Sequence, residues 1–189
     1  MGGAVRLRRE RASLLIIDLQ AKLVPAIAEH ERILSRTILM MRAAETLGVP
    51  VLLTTQYRQG LGDVVPEVRA AAGDSEPVDK VTFSCLGCEG VTHWLESHPK
   101  RTQLVVAGIE THICVAQTVM DAVERGMAVH VLSDAVGARH ESDHSLGLTR
   151  MERTGATLSS TEMAIYELLG RAATDEFRKI LPLIVSADT

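Results

Sequence analysis

Residues 103–132, QLVVAGIETHICVAQTVMDAVERGMAVHVL, decide the fold class of this protein. Gln103–Ile109 is a continuous apolar run, typical of a strand buried on both faces of a parallel sheet. From Ile113 the apolar side chains recur at helical spacing until Gly126, and Ala128–Leu132 is a second apolar run. A strand, a helix and a strand in this order predict a right-handed crossover between parallel strands.

The same alternation of strands and helices continues in both directions along the chain. Further strands are predicted at Ser13–Asp18, Val51–Thr55, Val78–Phe83 and Ala156–Ser160. Further helices are predicted at Ile33–Leu47, Glu67–Ala72, Glu89–Ser97, Ser142–Arg153, Met163–Leu169 and in the C-terminal DEFRKILPLI. We therefore expect a three-layer α/β/α fold around a mostly parallel sheet, in one domain that spans residues 1–189.

The composition argues against several classes of protein. Hydrophobic residues make up 46% of the 189 residues and charged residues 23%, a balance typical of a globular domain. The net charge is −4, and no stripe of lysine or arginine is interleaved with aromatic residues, so no nucleic-acid partner is predicted. The early arginines precede only a short apolar run that ends at Asp18, which fits neither a signal peptide nor a membrane span. Three cysteines without an export signal are expected to be free thiols in the cytoplasm.

Three chemically active side chains lie at or just beyond the ends of predicted strands. Asp18 ends the first strand, Lys80 belongs to the third, and Cys114 follows the fourth at the start of a helix. In an open parallel sheet the carboxyl ends of the strands line a crevice where ligands bind, at the point where the strand order reverses. Alone, each of these residues has an ordinary structural role, but together they form an acid, a base and a thiol in one crevice.

This set predicts an activated thiol. A carboxylate can accept the proton of Cys114, while the lysine cation and the helix dipole stabilise a thiolate. Each unit by which the pKa falls corresponds to about 1.4 kcal/mol, and a fall of one or two units makes a thiol nucleophilic near neutral pH. We therefore expect the pKa of Cys114 to lie below its ordinary value.

Three stretches of the chain, LLIIDLQ, VDKVTFSC and GIETHICVAQT, resemble the isochorismatase-like cysteine hydrolases in their order and separation. The resemblance covers nearly the whole chain and is strongest to the subgroup described as isochorismatase-domain-containing hydrolases. It implies that Cys114 is the nucleophile, Asp18 the general base and Lys80 the residue that supports the charged pair. It also implies a six-stranded parallel sheet of order 3-2-1-4-5-6, in which strands 1 and 4 are neighbours.

The resemblance further implies a non-proline cis peptide bond between Ile109 and Glu110. With that bond, the amides of Glu110 and Cys114 would form an oxyanion hole, and the Glu110 side chain need not take part. The implied reaction is attack by the thiolate on a small amide or related carbonyl compound, followed by hydrolysis of a thioester. Gln56, Tyr57 and Phe83 are candidates for the wall of the substrate pocket, although Tyr57 and Phe83 could equally serve in packing.

The same resemblance narrows the choice of substrate and partners. Relatives that hydrolyse nicotinamide bind a metal in the loop after the second strand, but here that loop, QYRQGLGDVVPEV, contains no histidine. Relatives that cleave the vinyl ether of isochorismate lack the cysteine. We therefore expect a small-molecule substrate, no cofactor, no bound metal and no membrane partner, in a homo-oligomer of the kind common in the family.

A zinc hydrolase is an alternative from another class of enzyme, because residues 140–144, HESDH, match the HExxH motif of zinc peptidases. That motif requires both histidines on one face of a helix. Ser142 followed by Asp143 is instead typical of a helix start, which would leave His140 in the preceding loop. A loop and a helix cap are the favoured interpretation.

Two further alternatives stay open at the level of sequence. Cys85 and Cys88 form a CxxC pair, CLGC, that could be a redox pair, although half-buried neighbours of Lys80 are the favoured interpretation. A catalytically weak oligomeric scaffold on the same fold would also retain Asp18, Lys80 and Cys114. In a scaffold, Cys114 would titrate like an ordinary thiol.

Overall fold

A single sheet organises the part of the chain that the structure, a computed structural model, describes: residues 5–73 and 75–187. Its strands are β1 (Ala12–Ile17), β2 (Val51–Gln56), β3 (Val78–Lys80), β4 (Gln103–Ile109), β5 (Ala128–Gly137) and β6 (Thr157–Ser159). They lie in the order β3-β2-β1-β4-β5-β6, and every neighbouring pair runs parallel. The predicted parallel sheet and its strand order are confirmed.

Helices cover both faces of this sheet. They are α1 (His30–Leu47), α2 (Arg58–Leu61), α3 (Pro66–Ala71), α4 (Glu89–Glu96), α5 (Ala116–Glu124), α6 (Glu141–Arg153), α7 (Thr161–Leu169) and α8 (Asp175–Ala187). Helices α1, α3, α7 and α8 contribute to the apolar core on one face. Helices α4, α5 and α6 contribute to the core on the other. The expected three-layer architecture is therefore present.

The first strand shows why the strand segments are continuous apolar runs. Leu14 and Ile16 belong to the core on one face of the sheet, whereas Leu15 and Ile17 belong to the core on the other. Since successive side chains of a strand point to opposite faces, a strand covered by helices on both sides needs apolar residues at every position. Full burial of each such side chain is worth about 1.5–3 kcal/mol.

Two strands differ in length from the prediction by three residues or more. β3 ends at Lys80, and the following residues leave the sheet, with Val81 75% exposed and Phe83 54% exposed. β5 continues to Gly137, five residues beyond its predicted end. Ser133 and Asp134 interrupt the apolar pattern of β5 because they hydrogen-bond the backbone of β6 and of α7, respectively.

The strand order reverses between β1 and β4, and a glycine lets these strands approach. Gly108 pairs with Ile17 and has a φ of +118°. A Cβ atom at Gly108 would lie 2.1 Å from the carbonyl oxygen of Ile17, so a larger residue would force the strands apart. The chain leaves β4 through Glu110 into a π-helical turn, Thr111–Val115, beside the end of β1.

Candidate active site

Asp18 lies directly after β1 and is completely buried. Its φ of +54° turns the chain out of the sheet, a conformation that aspartate adopts more readily than most residues. The hydroxyl of Thr54 donates a hydrogen bond of 2.8 Å to Oδ1 of Asp18. The ammonium of Lys80 donates one of 2.7 Å to Oδ2, so each carboxylate oxygen has its own donor.

Lys80 is the last residue of β3, and its ammonium is buried with oxygen acceptors around it. Besides Asp18 Oδ2, Nζ lies 2.7 Å from Oε1 of Gln56 and 3.3 Å from the carbonyl oxygens of both Thr82 and Phe83. Burial is the largest single influence and favours loss of the proton, but the charge and hydrogen bond of Asp18 together with Cys85 and Cys114 outweigh it, and the pKa of Lys80 is raised. Lys80 and Asp18 therefore form a charged pair that is shielded from solvent.

Cys114 lies in the π-helical turn and is only 6% exposed. The carbonyl of Glu110 accepts hydrogen bonds from the amides of Ile113 and Val115, at 3.0 and 3.2 Å, and so holds the turn against the end of β4. Sγ of Cys114 lies 4.0 Å from Oε1 of Gln56, the oxygen that also accepts from Lys80. Single π-helical turns are frequent at functional sites.

The predicted lowering of the pKa of Cys114 is wrong. Burial of the thiol raises this pKa to about 12, and the negative charge of Asp18 acts in the same direction. The charge of Lys80 lowers the pKa of Cys114 and so offsets only part of this rise, because the ammonium is already paired with Asp18 and faces oxygen acceptors. At neutral pH the thiol therefore keeps its proton, and Oε1 of Gln56 is its hydrogen-bond acceptor at 4.0 Å.

The predicted pocket residues lie in different surroundings. Gln56 is bonded to Lys80 and near Cys114, so its amide belongs to the site itself. Tyr57 is 52% exposed, and its ring packs over Gly60. Phe83 is exposed, although its carbonyl accepts from Lys80. Contact of Tyr57 and Phe83 with a substrate stays a prediction.

At the predicted oxyanion hole, the structure defines the peptide bond before Glu110 and the contacts of the Glu110 side chain. The peptide bond between Ile109 and Glu110 is cis. The carboxylate of Glu110 accepts hydrogen bonds from the amide and the guanidinium of Arg139, at 3.1 and 3.2 Å. The Glu110 side chain is therefore engaged by Arg139.

Three residues of this neighbourhood were missed at the level of sequence: Thr54, Gln20 and Thr118. The hydroxyl of Thr54 donates a hydrogen bond to Asp18, and the side chain of Gln20 accepts one from the backbone amide of Gln56. Cys85 Sγ lies 3.8 Å from the Thr54 hydroxyl, and Thr118 accepts from the amide of Cys85. Of these, Gln20 and Thr118 lie within stretches that carry the family resemblance, at the ends of LLIIDLQ and GIETHICVAQT.

The HESDH segment is arranged as a helix start. His140 is the N-cap residue of α6, which begins at Glu141, and so it lies outside the helix. His144 lies within α6, and its Nδ1 is 2.9 Å from the hydroxyl of Thr111. In the described ranges 5–73 and 75–187, no three His, Cys, Asp or Glu side chains are grouped so that they could hold a metal ion.

The CLGC segment contains two free thiols in different surroundings. Cys85 begins a 3-10 turn and is completely buried, whereas Cys88 is half-buried, with its thiol 3.8 Å from the carbonyl of Asp79. The interpretation of both as half-buried holds for Cys88 and is wrong for Cys85. The thiol of Cys85 is enclosed because its turn packs against the core beside Thr54 and Thr118.

The helices of the described residues give no candidate for a membrane span, since none is both long and apolar enough.

Comparison with known proteins identifies relatives of this chain. The family model described as the isochorismatase domain matches residues 12–163. Isochorismatase domain-containing protein 2 of Macaca fascicularis is 39% identical over 171 residues, which cover 90% of this chain and 82% of that protein.

Two solved structures share the fold over nearly their full lengths. The MAR1 ribonuclease of Caenorhabditis elegans superposes with a TM-score of 0.90 and 32% identity, over 96% of this chain and 93% of its own. The YcaC gene product of Escherichia coli, described as an octameric hydrolase of unknown specificity, has a TM-score of 0.87 and 25% identity. That match covers 100% of this chain and 98% of the YcaC chain.

Proposed function

This chain belongs to the isochorismatase family, and we propose that it is a cysteine hydrolase that cleaves a small amide or related carbonyl compound through a thioester on Cys114. Membership of the family supports a hydrolytic function. The observation that carries the finer proposal is the buried Asp18–Lys80 pair, 2.7 Å apart, with Sγ of Cys114 4.0 Å from the Gln56 oxygen that also accepts from Lys80.

In the first step, Asp18 acts as the general base. Because the pKa of Cys114 is raised to about 12, the thiol is protonated at rest, and its proton passes to Asp18 as sulfur attacks the carbonyl carbon. General-base assistance of this kind is typically worth about 10²–10⁴-fold in rate. Lys80 remains charged and balances the site while the negative charge moves from the carboxylate toward the substrate oxygen.

The attack turns the carbonyl oxygen into an oxyanion, for which we assign the backbone amides of Glu110 and Cys114 as donors. Loss of one such donor typically costs about 3 kcal/mol of transition-state stabilisation. The carbon–nitrogen bond then breaks, and Asp18 returns the proton to the leaving amine. This step leaves an acyl group on Sγ of Cys114.

Water completes the reaction by the same route. Asp18, again a carboxylate, takes a proton from the water that attacks the thioester, and the proton returns to the departing sulfur of Cys114. The products are a carboxylic acid and the restored thiol. All proton transfers use the chain's own residues, so the mechanism needs neither a cofactor nor a metal.

We assign three residues to the substrate side of the site: Gln56, Tyr57 and Phe83. Gln56 presents its amide between Lys80 and Cys114, and the exposed rings of Tyr57 and Phe83 belong to residues that hydrogen-bond Lys80 through their backbones. A small neutral amide suits this arrangement, because the charge of Lys80 is already matched by Asp18.

Two features of the biological context belong to the same proposal. A homo-oligomer is supported by the Escherichia coli relative, which is described as octameric. The cytoplasmic location is supported by the sequence alone and stays a prediction.

The experiment that tests the proposal is a screen of small primary amides for release of ammonia, followed by rapid acid quench and peptide mass analysis. We expect an acyl adduct on the peptide that contains Cys114. Turnover without an adduct on Cys114, or with an adduct on Cys85 or Cys88, would contradict the thioester mechanism. No turnover with any amide, together with a Cys114 that titrates like an ordinary thiol, would favour the oligomeric scaffold.

RNA should be included in the same screen because the Caenorhabditis elegans relative is named a ribonuclease. An RNA backbone offers phosphorus rather than a carbonyl carbon to the thiol, so we expect no cleavage of RNA by Cys114. Cleavage of RNA that is lost on replacement of Cys114 would overturn the assignment of the substrate class.

A further inference from the structure

Gln20 is a completely buried amide close to the proposed active site. Its Oε1 accepts a hydrogen bond of 2.7 Å from the amide of Gln56. Its Nε2 donates to the carbonyl of Gln56 at 3.1 Å and to the carbonyl of Gly62 at 2.7 Å. One side chain thus occupies both backbone groups of Gln56, as a neighbouring strand would.

The residue that Gln20 holds in this way contacts both Lys80 and Cys114. Oε1 of Gln56 lies 2.7 Å from Nζ of Lys80 and 4.0 Å from Sγ of Cys114. Nε2 of Gln56 donates to the carbonyl of Val81, at 2.9 Å, which fixes the orientation of the amide. A small displacement of the Gln56 backbone would therefore move the oxygen that lies between the cation and the thiol.

We propose that Gln20 is a positioning residue that acts through Gln56 to hold the oxygen acceptor shared by Lys80 and Cys114. The inference rests on the proposed function, in which Cys114 is the nucleophile. Among the described residues no hydrogen bond joins Gln20 to Cys114, so we expect its influence to pass through the backbone of Gln56. Misplacement of active-site groups by about 1 Å can lower a rate by about 100-fold.

The backbone near Gln20 is held independently of its side chain. Gln20 forms an antiparallel bridge with Val64, and the amide of Ala21 donates to the carbonyl of Asp63 at 3.0 Å. Replacement of the side chain alone leaves these contacts in place. We therefore expect Gln20→Met, which matches the side chain in length and lacks its polar atoms, to fold.

Gln103 provides a matched control at the opposite end of the sheet. It is 2% exposed, accepts from the amide of Arg8 at 2.8 Å and donates to the carbonyl of Arg6 at 3.0 Å. It is therefore another buried glutamine that bonds only backbone groups, but it begins β4, whereas Cys114 follows the end of that strand. Gln103→Met removes comparable bonds without a path to Gln56.

The experiment compares the rate of alkylation of Cys114 across pH in wild type, Gln20→Met and Gln103→Met, with peptide mass analysis. Only the thiolate reacts, so the rate reports the pKa of Cys114. In Gln20→Met we expect Gln56 to shift and its Oε1 to release one N–H group of Lys80, which can then hydrogen-bond the thiolate of Cys114. We also expect water to enter the loosened site. We expect the apparent pKa to fall by about one unit and alkylation below that pKa to accelerate about tenfold. Hydrolysis of any amide substrate should fall about 100-fold.

Cys85 serves as an internal control for folding, because it is completely buried in the same core. In Gln20→Met it should stay as protected as in wild type, whereas unfolding would expose it. Gln103→Met should leave the pH profile of Cys114 unchanged.

Three results would overturn the inference. These are an unchanged profile in Gln20→Met, an equal shift in Gln20→Met and Gln103→Met, and failure of both Gln20→Met and Gln20→Asn to fold while Gln103→Met folds. The last result would make Gln20 a purely structural residue. Because alkylation needs no substrate, these outcomes are independent of the amide screen, whose failure would count against the proposed function alone.

Discussion

Two buried thiols, those of Cys114 and Cys85, lie near Asp18. They differ in the side chains that lie between the sulfur and the carboxylate. The charge of Asp18 raises the pKa of Cys114, and Sγ of Cys114 lies 4.0 Å from Oε1 of Gln56. Cys85 reaches Asp18 through the Thr54 hydroxyl, which lies 3.8 Å from Sγ of Cys85 and 2.8 Å from Oδ1 of Asp18. Cys114 is 6% exposed, whereas Cys85 is 0% exposed.

The pKa values alone do not identify the nucleophile. Burial raises the pKa of Cys85 to about 11 and that of Cys114 to about 12, so both thiols are protonated at neutral pH. Their exposure and their hydrogen-bond partners separate them, since the Cys114 thiol is slightly exposed beside Gln56 and the Cys85 thiol is enclosed beside Thr54. In a dry site, a thiol acts as a nucleophile when its proton can leave as the bond to carbon forms, and a neighbouring carboxylate provides that path.

Exchange of each thiol for a hydroxyl tests this comparison most strongly. We expect Cys114→Ser to lower amide hydrolysis by at least about 10³-fold, because a serine hydroxyl is a far weaker nucleophile beside the same base. Cys85→Ser should keep turnover within about tenfold of wild type and destabilise the fold by about 1–3 kcal/mol, since a polar hydroxyl replaces a buried thiol. Turnover and the free energy of unfolding are the two measurements, and equal loss of activity in both variants would break the comparison.

Replacement of the shared carboxylate is expected to separate thiol reactivity from catalysis. Asp18→Asn removes the base and should lower hydrolysis by about 10²–10⁴-fold. The charge of Asp18 raises the pKa of Cys114, so its removal should lower that pKa and speed alkylation at a fixed pH below it. The pKa of Cys85 should also fall. Alkylation of each peptide across pH checks the direction, and slower alkylation of Cys114 in Asp18→Asn would contradict it.

Removal of the bridge between Cys85 and Asp18 should have the smallest effect. Thr54→Val deletes the hydroxyl that bonds Asp18 Oδ1, with an expected cost of about 1–3 kcal/mol in stability and about tenfold in turnover. Thr55→Val is the matched control, because the Thr55 hydroxyl donates to Oδ1 of Asp79 at 2.9 Å rather than to Asp18. Thermal unfolding and turnover distinguish the two variants. A loss of turnover in Thr55→Val equal to that in Thr54→Val would show that the effect is not specific to Asp18.

The fold was largely predictable because its determinants are local. The continuous apolar runs of β1 and β4 identify strands that are covered on both faces, and the helical spacing between strands fixes parallel connections. β3 and β5 were less predictable at their ends. Where β5 contacts β6 and α7, polar residues lie inside a strand for reasons that only the partner elements reveal.

The sequence by itself determined the α/β fold from local patterns and the strand order through its family resemblance. It also predicted the three candidate residues Asp18, Lys80 and Cys114 from their positions at or just beyond the strand ends. Only the tertiary structure decided the state of the thiol, because burial and the charge of Asp18 come from segments that are distant along the chain. The same holds for Gln20 and Gln56, 36 residues apart, and for Thr54 and Cys85, 31 residues apart. Hydrogen bonding and desolvation depend on which groups meet in space, and a pattern along one strand or helix does not contain that information.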